Sequence, residues 1–237
     1  MYSNQIGVDV EGCKEALRNA DAVCFDVDST VINEEGIDVL ADYLGKGPQV
    51  SEWTAKAMGG NVKFEDALAA RLSLIEPSRS SILKCISERP FKLTPGIAGL
   101  IKALHDKGVD VWFVSGGFRI MIEPIATVLS VPTSNILANT ILFKDDEEGT
   151  YKGFDDKEPT SADMGKPRAV RFIKSTTAAT TVVMVGDGAT DLQAVAPGAA
   201  DKFLGFGGVA DRDVVREKAD WFVYNFDEVT KIVKGLD

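Results

Sequence analysis

Histidine is almost missing from this 237-residue chain: His105 is the only one, and there are just three cysteines, Cys13, Cys24 and Cys85. A lone histidine between Leu104 and Asp106 cannot build a histidine-ligated metal centre or a histidine-based nucleophile system. It is expected on a helix surface. The cysteines form no C-x-x-C pair, and the sixth residues after them are Asn19, Thr30 and Phe91, so no C-x₅-R anion loop exists. An odd count without pairing suits reduced thiols in a reducing compartment. There is no Walker loop. No apolar run reaches the length of a membrane span, and Asp9, Glu11, Lys14, Glu15 and Arg18 interrupt what would be the apolar part of a signal peptide. Positive charge is also short: 26 Lys and Arg against 36 Asp and Glu leave a net charge of −10, which argues against nucleic acid as a partner. The expectation is a soluble, cytoplasmic protein with no nucleic-acid or membrane partner.

What is present is a chain that is 45% hydrophobic, enough for a core without disulfide staples. Strand signals recur at 22–27, 109–114, 135–138, 181–185, 202–205 and 221–223. Helical patterns lie between several of them, with Ile97, Leu100, Ile101 and Leu104 on one face and Val170, Phe172 and Ile173 on part of another. Strands alternating with helices imply an α/β fold with a Rossmann-like parallel sheet. The first strand breaks the rhythm, because a long interval without strand signals follows it. There Ile37, Leu40 and Leu44, then Phe64, Leu68, Leu72 and Ile75, then Ile82, Leu83 and Ile86 repeat at helical spacing. We therefore expect a core of residues 17–35 and 92–237, an inserted helical cap at 36–91 placed to act as a lid, and a small hairpin insertion at 139–156 around the acidic tip Asp145-Asp146-Glu147-Glu148.

The chemistry concentrates at strand ends. Asp26-Val27-Asp28 follows the apolar run Ala22-Val23-Cys24-Phe25, delivering two carboxylates to a strand's carboxyl end, where open α/β sheets bind ligands. Such a pair repels unless a cation joins it, and a hard divalent cation such as Mg²⁺ fits. A carboxylate beside such a cation can also be a nucleophile. An Asx turn capping the next helix explains an isolated D-x-D equally well. Val114-Ser115-Gly116-Gly117 ends a second strand with a hydroxyl and two glycines before a helix, a place where backbone amides accept anions. Gly186-Asp187-Gly188-Ala189-Thr190-Asp191 ends a third with more carboxylates, and Lys166 lies one helix upstream. Pro124 falls inside the helix after Gly117 and marks a kink. Gly205-Phe206-Gly207-Gly208-Val209-Ala210 matches a loose dinucleotide fingerprint but lacks a following βαβ unit.

Asp26, Asp28, Ser115, Lys166, Asp187 and Asp191, in this order and at these strand ends, resemble the four motifs of the haloacid dehalogenase superfamily. The stretches 20–32, 34–38, Ala57-Met58-Gly59-Gly60, Leu93-Thr94-Pro95-Gly96, 114–119, 186–191 and 205–208 look like the phosphoserine phosphatase family within it. Pro124, Val209-Ala210-Asp211 before Arg212, and the first fifteen residues depart from that family. The resemblance implies Mg²⁺-dependent hydrolysis of O-phospho-L-serine to L-serine and phosphate, the last step of serine biosynthesis. It makes Asp26 the nucleophile that becomes an aspartyl phosphate and Asp28 the acid and then base. One Mg²⁺ would be held by the Asp26 carboxylate, the Asp28 carbonyl and Asp187, with Asp191 behind. Ser115, Gly116, Gly117, Thr190 and Lys166 would hold the phosphoryl group. In the lid, Glu35 would face the substrate ammonium, Arg71 its carboxylate, and Met58 with Gly59 would line the closure; Arg212 would join the substrate-binding set. The resemblance admits a homodimer. Seen bare, Glu35 and Arg71 are a first-turn helix acid and a solvated arginine. Two other readings stay open: the same fold acting on another small phosphomonoester, and a non-catalytic phosphate-binding module.

Overall fold

A computed structural model of the chain describes residues 6–58 and 62–236, with the backbone alone at 55–58. Helix α1 (Val10–Arg18) leads into β1 (Ala22–Phe25), after which come four helices without a strand: α2 (Gly36–Tyr43), α3 (Gly47–Met58), α4 (Phe64–Ile75) and α5 (Arg79–Glu88). Then follow α6 (Ile97–Asp106), β2 (Asp110–Phe118), α7 (Arg119–Val128), β3 (Ile136–Asn139) and the hairpin β4 (Ile141–Phe143) and β5 (Tyr151–Phe154). The chain closes with α8 (Gly165–Thr177), β6 (Val182–Gly186), the short α9 (Ala189–Leu192), β7 (Lys202–Phe206), α10 (Asp213–Lys218), β8 (Trp221–Val223) and α11 (Phe226–Lys234). Six strands form one sheet in the order β3-β2-β1-β6-β7-β8, every pairing parallel; β4 and β5 pair antiparallel as a separate ribbon.

The apolar runs are explained by burial on both faces of the sheet. In β1, Val23 and Phe25 enter the core under α1, α6 and α11, while Ala22 and Cys24 enter the core under α8. Alternation places Val183 and Val185 of β6 on the first side and Val182 and Met184 on the second. From β1 the chain builds outward to β2 and β3, then returns to the other side of β1 for β6, β7 and β8, so the order reverses at β1. That reversal opens a crevice beyond the strand ends.

The inserted helices have a core of their own. Ile37, Leu40, Val50, Leu68, Leu72, Ile75, Ile82 and Cys85 cluster together with Phe118 and Ile141, and Phe143, Tyr151 and Phe154 of the ribbon pack against them. The two segments joining this cluster to the sheet run side by side: Ile32 pairs with Leu93, Asn33 donates to Lys92 O at 3.1 Å and Thr94 to Val31 O at 2.9 Å.

Two expectations need correction. The core begins before residue 17, because Cys13 and Leu17 of α1 are buried in it and Ile6 pairs with Phe222 of β8. Leu83 is 53% exposed and Phe172 48% exposed. Each follows or precedes a buried residue by one position, and adjacent helical residues do not share a face; Ile82 with Cys85, and Val170 with Ile173, supply the inward stripes. Helix α7 runs through Pro124 without a break.

Candidate active site

β1 hands over to the site at Asp26, whose amide still donates to Val185 O of β6 at 2.9 Å. The chain then makes a wide turn over Val27–Val31, closed by Ile32 N on Val27 O at 3.0 Å, with Ser29 in the left-handed region at φ 54°. A left-handed non-glycine residue is costly and persists where its surroundings hold it. Ser29 Oγ donates to Glu35 Oε1 at 2.6 Å, Thr30 Oγ1 to Asp187 Oδ1 at 3.3 Å, and Asp28 Oδ1 accepts the Gly36 amide at 2.9 Å. Three consecutive side chains thus tie the turn to the first inserted helix and to the end of β6.

Asp26, Asp187 and Asp191 each bring a carboxylate oxygen to within 4.8 Å of the others. Lys166, at the start of α8, lies 2.9 Å from Asp26 Oδ1 and also pairs with Asp191 Oδ1. Asp191 accepts the Gly188 amide through its other oxygen at 2.9 Å. Burial pushes Asp191 up to about 7 against the pull of Lys166, and raises Asp187 with help from Asp26 against the pull of Arg212. Lys166 is held high: burial alone would lower it, but Asp191 and Asp26 outweigh that cost. Three buried carboxylates with an all-oxygen donor set suit a hard divalent cation.

The carboxyl end of β2 forms the second wall. Its pairing with β3 shifts register between Val114 and Phe118, so 115–117 leave the regular ladder. Ser115 is fully buried and its Oγ accepts the Gly117 amide at 3.0 Å. The glycines are required by close approach: a Cβ at 117 would lie 2.8 Å from Asp28 Oδ2, and one at 116 would lie 3.0 Å from the Phe64 ring. Phe64 opens α4, so an inserted helix caps this strand end directly.

Between these walls is a cleft of about 160 Å³ whose lining includes Asp26, Asp28, Glu35, Arg71, Gly116, Gly117, Lys166 and Thr190. That is below the ~300 Å³ where drug-sized ligand sites begin, so the cleft fits a small ligand. Asp28 is held well above the usual carboxylate range by burial, then by the charges of Glu35 and Asp26, against the Gly36 amide. Glu35 is raised by burial, opposed by the Ser29 hydroxyl. Burial lowers Arg71, opposed by Asp38, Glu35 and Asp28. Arg71 Nε bonds back to Ala67 O at 3.2 Å, and among the described residues no carboxylate reaches ion-pair distance of its guanidinium. Its fork therefore faces the cleft without a partner.

Of the residues singled out in the sequence, Asp26, Asp28, Glu35, Arg71, Gly116, Gly117, Lys166 and Thr190 line the cleft. Ser115, Asp187 and Asp191 stand behind it as buried supports. Arg212 is held elsewhere: its Nε and Nη2 reach Asp187 Oδ2 at 2.9 and 2.8 Å, and Nη2 lies 3.8 Å from Glu35. Met58 ends α3 with only its backbone described, and Gly59 lies outside the described residues. Sequence reasoning passed over Ser29, Thr30 and Thr160 and took Phe64 for plain core. Ser29 and Thr30 carried a signal in following D-x-D directly; Thr160 carried none.

A model of the haloacid dehalogenase-like hydrolases matches residues 20–197. The chain is 50% identical over 220 residues to a protein of Arabidopsis thaliana named "Phosphoserine phosphatase, chloroplastic", covering 93% of this chain and 73% of that one. It superposes on a solved substrate-bound phosphoserine phosphatase complex with a TM-score of 0.76 at 28% identity, covering 90% of this chain and 97% of that one. The structure of DsGPDH of Dunaliella salina matches with a TM-score of 0.82 at 35% identity over 94% of this chain, which spans only 37% of that longer chain.

Proposed function

This chain belongs to the haloacid dehalogenase-like hydrolases and, within them, to the phosphoserine phosphatases, and from that footing we propose that its cleft hydrolyses O-phospho-L-serine to L-serine and phosphate, the closing step of serine biosynthesis. The observation that carries this reading is the placing of Asp26, at 2.9 Å from Lys166, and of Asp28, whose carboxyl is raised well above the usual carboxylate range by burial, in the lining of one small cleft. A carboxylate beside a lysine and a second carboxyl that burial disposes to hold its proton suit the nucleophile and the acid of a two-step transfer.

In the first step an Asp26 oxygen attacks phosphorus in line, the bond from phosphorus to the serine oxygen breaks, and the Asp28 proton passes to that oxygen. In the second, Asp28 as carboxylate takes a proton from water, the water oxygen attacks phosphorus, and the bond to Asp26 breaks, releasing phosphate with Asp26 restored. The Gly116 and Gly117 amides, Thr190 and Lys166 hold the phosphoryl oxygens while charge redistributes, and Ser115 steadies that strand end from behind. In the lid, Arg71 presents its free fork to the substrate carboxylate and Glu35 faces the ammonium. Arg212 acts through Asp187 and Glu35. Residues 36–91 are the lid, and the ribbon at 139–156 packs with it.

The Asp26 and Asp187 carboxylates and the Asp28 carbonyl would hold Mg²⁺, with Asp191 behind them; all are hard oxygen donors. When bound, the ion neutralises phosphoryl charge. Among the described residues no helix is long and apolar enough to cross a membrane. The buried, unpaired state of all three cysteines supports a reducing compartment such as the cytoplasm, and a homodimer is the assembly to test.

Two measurements test the reading together. A panel of small phosphomonoesters should place O-phospho-L-serine first in kcat/KM, and quenching with labelled substrate should leave acid-stable label on wild type and none on Asp26→Asn. Label on another residue overturns the mechanism; preference for a different ester overturns the substrate while leaving the mechanism.

A further inference from the structure

We propose that Asn139 is a positioning residue for phosphoryl transfer: its carboxamide holds the Ser115–Gly117 segment in place and sets it against the start of α8, which carries Lys166. Asn139 ends β3, has no exposed surface, and lies beside Phe118 in the register that resumes after that segment. Its Nδ2 donates to Gly116 O at 2.8 Å, at the point where the backbone ladder between β2 and β3 is interrupted. Turning the amides of a strand end toward a ligand turns its carbonyls the other way, and a buried carbonyl left without a donor is costly. The Asn139 amide meets that need at Gly116, a residue that lines the cleft.

The other end of the carboxamide is also fixed. Thr160 Oγ1 donates to Asn139 Oδ1 at 3.1 Å, and Thr160 is itself buried. An amide that donates to a carbonyl on one side and accepts from a hydroxyl on the other has only one orientation. Thr160 then abuts the start of α8: a Cβ on Gly165 would fall 2.8 Å from Thr160 Cα, so the residue before Lys166 is pressed on Thr160. Gly116, Asn139, Thr160 and Gly165 form one contiguous chain of contacts between two elements that grip the same phosphoryl group from different sides. Among the described residues the side-chain hydrogen bonds of Asn139 and Thr160 go to neither Glu35 nor Arg71, so their loss should loosen the phosphate end of the site more than the amino-acid end.

This inference rests on the reading of the cleft as a phosphoryl site, and inhibition by the two products separates them. For Asn139→Ala we expect kcat to fall by about tenfold or more, within the hundredfold that follows a misplacement of about 1 Å. Inhibition by orthophosphate should weaken by a similar factor and inhibition by L-serine should change less than about twofold. Thr160→Val keeps the donor to Gly116 but frees the carboxamide, and should show the same split at smaller size; it decides the matter if Asn139→Ala does not fold. Orthophosphate inhibition unchanged in the folded variants, or orthophosphate and L-serine weakened equally, overturns the positioning role. A wild-type enzyme indifferent to orthophosphate removes the phosphoryl reading and this inference with it.

Discussion

The Gly36 amide donates to Asp28 Oδ1 at 2.9 Å, making the first residue of α2 a direct partner of the carboxyl group assigned to proton transfer. The inserted helices thus begin on the carboxyl proposed as the acid. The amide opposes the upward push that burial and the neighbouring Glu35 and Asp26 exert on Asp28. The consequences can be measured.

Asp28→Asn removes the proton donor while preserving size. Turnover of O-phospho-L-serine, whose leaving alkoxide needs a proton, should fall by roughly a hundredfold to ten-thousandfold, the range for general acid catalysis. Formation of the phosphoenzyme from p-nitrophenyl phosphate, whose leaving group departs unaided, should fall far less. Pre-steady-state bursts with both substrates check this, and equal losses would remove Asp28 from the acid role.

The same carboxyl should make stability depend on pH. Because Asp28 titrates above its ordinary 3.8 in the folded chain, the folded state keeps a proton that the unfolded state has released from 3.8 upward. Stability from this group is full below 3.8 and declines as pH climbs toward the raised value. Metal-free Asp28→Asn, which does not titrate, should melt above wild type near about pH 8, with the gap narrowing toward about pH 4. A gap independent of pH would contradict the shift.

Asp187 receives Thr30 Oγ1 and the Arg212 guanidinium yet stands within the carboxylate cluster. Removing divalent metal with excess chelator should stop turnover, and Ca²⁺ should replace Mg²⁺ poorly because it favours longer, looser coordination. Asp187→Asn should raise the Mg²⁺ concentration for half-maximal activity by about tenfold or more. Titrating Mg²⁺ against rate and against melting temperature checks both; full activity in chelator would rule the metal out.

Arg71 meets no carboxylate among the described residues within ion-pair distance, so its charge is available to a ligand. Arg71→Ala should lower kcat/KM for O-phospho-L-serine by about tenfold to a thousandfold, as loss of a charge-assisted, bidentate contact in a small cleft does. Phosphoethanolamine has no carboxylate and should be turned over by variant and wild type alike. Equal losses on both esters, with circular dichroism unchanged, would show Arg71 supporting the lid instead of reading the carboxylate.

Much of this could be read from the chain. Six strands, the helical insertion and the ribbon were legible because a doubly covered parallel sheet demands short, wholly apolar runs, and no other element needs them at that spacing. The strand-end aspartates were legible for a related reason: polar residues ending abruptly after such a run have only the sheet's open edge to occupy. Periodicity failed at Leu83 and Phe172, where an apolar residue adjoins the stripe without belonging to it.

What the sequence determined by itself is the local chemistry: strand ends bearing Asp26, Asp28 and Asp187, glycines at 116 and 117, and a lysine at 166, since each follows from residue type and near neighbours. Only the tertiary structure decided their relations. That burial raises Asp28, that Thr30 reaches Asp187 across 157 positions, that Arg212 turns to Asp187 and Glu35, and that Asn139 joins Gly116 to Thr160 all depend on segments distant in sequence meeting in a dry interior. There, burial and an unpaired charge or carbonyl act over a few ångströms of space, a distance that the order of residues along the chain does not encode.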